Sequence, residues 1–498
     1  MRSEISDPVP ALVLLILLVI GVPAAESIAQ TTLPPTVRVE LRNSNIPESA
    51  YGAMVMEAGG RILLAHNDRL PMNPASVMKI ITTHAALDLL GPAFSWRTEV
   101  LATGPLGEGR LDGDIILKGG GDPKLTMERF WMLLRDARAR GIRDIAGDLV
   151  IDRSVFQVDD VDPGQFDGEP TRPYNAGPDA LLINYRSARV TFIPDLQSRS
   201  IRIVTEPPVG SVRIVNELSA IDGACDEWPE RGEVDLARGS LTFRGNFPLA
   251  CGERVRHVLL PDPLDYVQAL FRHLWEGLGG SFSGRARFGS SPADARPIAS
   301  IESASLADIV RDINKNSNNV MARQLFLSLG LLREPPVTLD NSREALSAWL
   351  LQKGIAAQEI VVENGSGLSR KERVAPRTLA RLLESAWFAP IGPELASSLP
   401  VAGVDGTLKR RFAGTAIAGR AHLKTGFLDN VRSIAGFLHG QQGRTLIVVS
   451  IINHPNARAA TGVQDALLEW AGRTLTESTG CAGMQSASPH PCTRTRPP

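Results

Sequence analysis

Three short strings in this sequence carry groups suited to acyl transfer: Ser76-Val77-Met78-Lys79, Ser317-Asn318-Asn319 and Lys424-Thr425-Gly426. A serine hydroxyl becomes a useful nucleophile only when a base takes its proton. On a helix, residues at i and i+3 share a face, so the Lys79 amine reaches the Ser76 hydroxyl. That amine acts as a base only when neutral, so its pKa must fall. Burial and a second cation, Lys424, both push it that way. Ser317 is placed in this scheme as a proton relay to a leaving amine, and Asn319 as a holder of a substrate amide. A Lys-Thr-Gly strand edge accepts an extended peptide as an added strand. Lys424 and Thr425 then suit a carboxylate, and the backbone N–H groups of Ser76 and Phe427 an oxyanion.

These groups need elements to hold them. Residues 50–67 read as two strands around Gly59-Gly60. The string LPMNPAS then leads into a helix with Ser76 in its first turn and Gly91 at its end. From 98 to 296 short apolar strands alternate with Gly, Pro and Asp turns. Helices return from 304, with Ser317 in a helical region. Leu306, Ile309, Val310 and Ile313 there have the spacing of a core face. Strands around HLKTG, SIAGFLHG and RTLIVVSIINH precede a last helix, VQDALLEWAG. The expected fold class is α/β in layers. A discontinuous catalytic unit (37–97 and 297–476) is split by a β-rich insertion (98–296), and a polar tail occupies 477–498.

Composition narrows the class. Of 498 residues, 43% are hydrophobic and 21% charged, as in ordinary globular chains. A formal net charge of −1 gives no footprint for nucleic acid. The run Ala11 to Val22 has signal-peptide length, with small residues after it, so residues 1–29 are expected to be removed on export. Left uncleaved, the same run would tether the chain loosely to the membrane. Four cysteines fit an oxidising compartment. Cys225 and Cys251 flank strand-like sequence and are the expected disulfide, with Cys481 and Cys492 in the tail. No C-x-x-C or H-E-x-x-H occurs and the eight histidines are scattered, so neither a metal nor another cofactor is expected.

The motifs lie within longer strings: LKGGGDPKL (117–125), GDLVIDRSVF (147–156), PYNAGPDALLINY (173–185), NKNSNNVMARQL (314–325), ENGSGLSR (363–370), LPVAGVDGTLKRR (399–411) and HLKTGFLDNVRSIAGF (422–437). With these the chain, from about 40 to 475, resembles the D-alanyl-D-alanine carboxypeptidase/endopeptidases of peptidase family S13, the class C low-molecular-mass penicillin-binding proteins. The resemblance implies a penicillin-binding/β-lactamase-like transpeptidase domain, a mixed antiparallel sheet flanked by helices. It implies a periplasmic enzyme that acts on peptidoglycan stem peptides and cross-links and takes up β-lactams covalently on Ser76. It also implies that Asp152, Phe156 and Arg370 grip the free D-centre of a diaminopimelate-type stem peptide. Two departures stand out. Phe427 follows Lys-Thr-Gly where the family often has Ser or Thr, and the middle motif is Ser-Asn-Asn rather than Ser-Asp-Asn.

Other features point less far. Gly119-Gly120-Gly121 lacks the rest of a phosphate loop and reads as a turn beside Asp122-Pro123. Gly365-Ser366-Gly367 is no G-x-S-x-G elbow. Arg410-Arg411 reads as a solvated turn, although the family signature puts it near the active-site wall. A serine β-lactamase would share the three motifs, but no Glu-x-x-Leu-Asn supplies its deacylating base. A non-catalytic wall-binding protein would have no use for an intact Ser76, Lys79, Ser317, Asn319 and Lys424.

Overall fold

The computed structural model describes residues 31–477 apart from 160, 208–211, 226–227, 229–232, 238 and 334. The expected signal segment, Cys481, Cys492 and the tail after Glu477 lie outside the described residues.

The apolar runs near the C-terminus form the middle of a five-stranded sheet. Its strands are β1 (Tyr51–Glu57), β2 (Ile62–His66), β3 (Ala421–Leu428), β4 (Val431–His439) and β5 (Thr445–Asn453), in the order β2-β1-β5-β4-β3. All neighbours in this sheet are antiparallel. The mixed pairing belongs to the β-rich block, where Leu149–Asp152 runs parallel to Ile115–Lys118. Successive side chains of β5 go to opposite faces. Leu446, Val448 and Ile452 enter one core with helices α1 (Pro35–Asn43) and α5 (Thr461–Glu477). Ile447, Val449 and Ile451 enter a second core with α2 (Met78–Leu90), α3 (Leu306–Asn316) and α4 (Asn319–Ser328). Because both faces are covered, the strand reads as one continuous apolar run.

Helix α1 corrects the expected start of the fold at 37. The helix begins at Pro35, a residue suited to a first helical position, and Leu33 before it is already buried. A second correction concerns 304–330, which is not one helical stretch. Ser317 adopts a left-handed conformation (φ 55, ψ 36) that ends α3, and the Asn318 side chain caps α4 by accepting from Met321 N at 3.0 Å.

The β-rich block joins the rest through a neck. The incoming strand Arg97–Ala102 pairs antiparallel with the outgoing strand Arg296–Glu302, and Ser303 N donates to Trp96 O at 2.8 Å. The expected boundary at 98 falls at the start of the incoming strand, but a boundary at 296 would leave the outgoing strand in the catalytic unit, whereas Arg296–Glu302 is an edge strand of the block's own sheet. The block has a separate apolar core around Phe192, Phe243, Phe271 and Trp275, and Cys225 is bonded to Cys251. The Gly119–Gly121 string is irregular backbone that leads into a turn at Pro123-Lys124. Asp122 accepts from Lys124 N at 2.7 Å, and a Cβ on Gly119 would meet Ala180 O at 2.2 Å. Buried Gln324 of α4 locks the block to the catalytic helices, accepting from Asp179 N at 2.8 Å and donating to Asp179 O at 2.7 Å. Among the described residues, no helix is long and apolar enough to cross a membrane.

Candidate active site

Ser76 sits in a single 3₁₀ turn, Ala75–Val77, that runs straight into α2. From Met72 to Leu87 every residue is buried except Ser76. The turn is pinned from outside the helix. Asn73 Oδ1 accepts from Ala75 N at 2.8 Å, and Asn73 N donates to Asn453 Oδ1 at 2.7 Å. Ser433 Oγ donates to Pro74 O.

Lys79 is fully buried one turn along α2. Its Nζ lies 3.0 Å from Ser76 Oγ and donates to Asn319 Oδ1 at 2.6 Å and to the Ser366 carbonyl. The last two groups only accept. In the neutral amine they take both N–H groups and leave the lone pair for the Ser76 hydroxyl. Burial drives the Lys79 pKa well below its ordinary value, and the Lys424 charge adds to that; Glu372 opposes it. Lys424 is also fully buried, and burial lowers it to about 7. Its Nζ donates to Ser317 Oγ at 2.8 Å and to Thr425 O at 2.8 Å. Two of the three donors of the Lys424 ammonium are thus used inside the protein.

Strand β3 is an edge strand that is half covered. Its first residues are occupied, with Leu423 N donating to Pro400 O at 2.8 Å and Val401 bridging His422. The Lys424–Leu428 half has no strand beyond it among the described residues. Gly426 is required there, because a Cβ would meet Pro74 O at 2.6 Å and come within 3.0 Å of Ser76 N. Thr425 and Thr407 share a hydrogen bond at 2.9 Å. The loop holding Thr407 is tied down by the ion pair of Lys315 with Asp405 at 2.7 Å. Arg411 is no solvated turn residue, since its guanidinium pairs with Asp465 at 2.6 Å.

Ser76, Lys79, Ser317, Asn319, Lys424, Thr425 and Gly426 therefore converge from α2, the α3–α4 break and β3. Two contributors have no motif signal of their own. Ser366 acts through its carbonyl, between Gly365 and Gly367 at φ 72 and 81. Glu372 is completely buried, and its Oε1 accepts from the N–H groups of Glu363, Asn364 and Gly365, which fixes that turn. The doubled glycine around Ser366 was the only available hint.

The three residues expected to grip a stem peptide have different surroundings. Asp152 is buried, with its carboxylate taken by Ser154 N and by Ser291 N and Oγ. Phe156 lines a 380 Å³ cavity with Arg153 and Asp179. Arg370 lines an adjoining 460 Å³ cavity with Arg323, Arg343 and Glu363, its guanidinium 5.1 Å from the Phe166 ring centre. Val158 and Pro178 border both cavities.

Comparison with known proteins agrees with this geometry. The profile of the D-Ala-D-Ala carboxypeptidase 3 (S13) family matches residues 36–474. The D-alanyl-D-alanine carboxypeptidase of Actinomadura sp. strain R39 is 29% identical over 469 residues, covering 90% of this chain and 86% of its own. D-alanyl-D-alanine carboxypeptidase DacB of Haemophilus influenzae is 26% identical over 396 residues, covering 79% of this chain and 83% of its own. The crystal structure of penicillin binding protein 4 from that organism superimposes with a TM-score of 0.73 at 25% identity, covering 86% of this chain and 99% of the other. With the profile spanning nearly all the described residues, the chain belongs to the D-Ala-D-Ala carboxypeptidase 3 (S13) family.

Proposed function

We propose that this chain is a serine peptidase that cuts D-Ala-D-Ala ends of peptidoglycan stem peptides and D-alanyl cross-links between them, working in the periplasm after export. The observation that carries the reading is the buried Lys79 amine, held by two acceptors with its third position toward Ser76 Oγ. In the forward reaction Ser76 Oγ bonds to the scissile carbonyl carbon as its proton moves to Lys79 Nζ. The oxyanion is held by the backbone N–H groups of Ser76 and Phe427. As the C–N bond breaks, Ser317 Oγ gives its proton to the departing amine and is recharged from the Lys424 side. Water then adds to the acyl carbon as its proton passes through Ser317 back to Lys424, the C–Oγ bond breaks, and Ser76 Oγ takes back the proton held by Lys79. The open half of β3 holds the peptide as an added strand.

A β-lactam presents a cyclic amide whose leaving group stays tethered, so it stops at the acyl-enzyme. Mass spectrometry after incubation with penicillin is expected to show one adduct on the peptide containing Ser76, and a D-Ala-D-Ala peptide to release D-alanine. An adduct that persists in Ser76→Ala would remove the assignment of the nucleophile.

A further inference from the structure

Beyond Lys-Thr-Gly, on the face of β3 shared by Thr425 and Phe427, lies a 260 Å³ cavity lined by Thr407, Thr425, Phe427, Arg432, Arg458 and Ser433 among others. Phe427 is 45% exposed and pairs in register with Arg432 on β4. The Arg432 guanidinium lies 5.6 Å from the Phe427 ring centre, and that of Arg458 lies 5.8 Å from it. The two cations thus share one aromatic ring. Among the described residues neither has a carboxylate partner. Among the described residues, the Arg432 side chain makes a long 3.5 Å hydrogen bond to Arg458 O. The third arginine of the cavity, Arg411, is already neutralised by Asp465. Burial first, and then the Arg411 charge, disfavour the Arg432 cation, while Asp465, which favours it, is already paired with Arg411. Among the described residues the pair thus has no counter-charge of its own.

The reaction brings one. Whatever leaves Ser76 in a D-Ala-D-Ala end carries a carboxylate on the carbon next to the departing nitrogen. Lys424 is buried and gives two of its three donors to Ser317 and Thr425 O, which leaves at most one for it. Phe427 has no hydroxyl to offer, and the Thr425 hydroxyl is shared with Thr407. The cavity nonetheless opens beside Gly426 and Ser433, which both pack against the Ser76 turn.

We propose that Arg432 and Arg458, flanking Phe427, form a carboxylate-binding subsite for the leaving residue, taking the place of a side-chain hydroxyl after Lys-Thr-Gly. Phe427 orients the two planar guanidinium groups, whose forked N–H groups match a carboxylate's two oxygens. This rests on the peptidase reading above.

The test compares kcat/KM for a short peptide ending in D-Ala-D-Ala with that for the same peptide ending in D-Ala-D-Ala carboxamide. Wild type is expected to favour the free acid. Arg432→Ala and Arg458→Ala are each expected to lose about tenfold or more on the acid, the worth of a charged hydrogen bond, and little on the amide. The amide control shows that Ser76 and Lys79 still work. Equal losses on both peptides, or an unchanged preference for the acid in the double variant, would overturn the subsite. A wild-type protein that cleaves neither peptide and takes no penicillin on Ser76 would instead overturn the peptidase reading, and the subsite with it.

Discussion

Lys79 Nζ donates to Asn319 Oδ1 at 2.6 Å across 240 residues of sequence. The bond joins the first half of the catalytic unit to the second, and it fixes which way the amine's lone pair faces. An arginine in place of Lys79 keeps the charge but stays protonated. Lys79→Arg is therefore expected to slow penicillin acylation by about a hundredfold or more, read from the rate of adduct formation at neutral pH. A rate close to wild type would mean that another group takes the Ser76 proton.

Glu372 sets the other side of the Lys79 balance. Its negative charge raises the Lys79 pKa, against burial and Lys424, which lower it. Lys79 works when deprotonated, so the acylation rate is lost as pH falls through its pKa. Glu372→Gln keeps an oxygen for the three backbone N–H groups but removes the charge. The acid limb of the rate profile is then expected to move to lower pH. Removing the Lys424 charge should move it the opposite way. A limb that stays in place in Glu372→Gln would show that the carboxyl is already neutral there.

Gly426 lets β3 approach the nucleophile turn. A methyl group there would lie 2.6 Å from Pro74 O, a backbone atom with little room to yield. Gly426→Ala is expected to displace the strand from Ser76 and cost about a hundredfold in acylation, as small misplacements of reacting groups do. Retained activity, with a crystal structure showing an unmoved strand, would contradict that close approach.

The convergence of the three motifs was legible because side-chain types at fixed spacing carry their chemistry, and the motifs reinforce one another. Ser366 was not legible, because it contributes a backbone carbonyl that any residue could supply. The break at Ser317 was hidden by the helical spacing on both sides of it, although an Asn beside a left-handed Ser is good cap chemistry. Helix α1 follows directly on the apolar leader, and Pro35, Val37 and Leu41 give it only a short amphipathic signal. The alternation of β5 between two cores does not appear in a run that is apolar at nearly every position.

Arg370 and Asp152 are expected to behave differently. Arg370 is exposed beside a cavity, so Arg370→Ala should lower kcat/KM for a diaminopimelate-bearing peptide and leave penicillin acylation nearly unchanged. Asp152 is buried and holds Ser154 and Ser291, so Asp152→Ala should lower stability by about 1–3 kcal/mol, seen in denaturant unfolding. A loss in Asp152→Ala confined to the peptide, with stability intact, would return that carboxylate to substrate binding.

Cys225 and Cys251 are 26 residues apart. On the chain-entropy account a loop of that size adds about 3 kcal/mol when closed. The paired Cys225→Ser and Cys251→Ser variant is expected to unfold at lower denaturant in the β-rich block, while Ser76 still takes penicillin. Loss of labelling together with the block would show that the two parts unfold as one.

The neck between Trp96 and Ser303 has a kinetic consequence. In an unfolded chain, bringing the halves of the catalytic unit together means closing a loop of about two hundred residues, an entropic cost of roughly 4–5 kcal/mol. Once Arg97–Ala102 has paired with Arg296–Glu302, the halves start from adjacent points and that cost has been met by the block's own sheet. During synthesis the block also leaves the ribosome before α3, α4 and the last three sheet strands exist. The order of assembly is then block first and active site last, so amides of Ile115–Lys118 should gain protection from hydrogen exchange before those of β4 in a refolding pulse experiment. A peptidase built in this order has no working nucleophile until its final strands have docked.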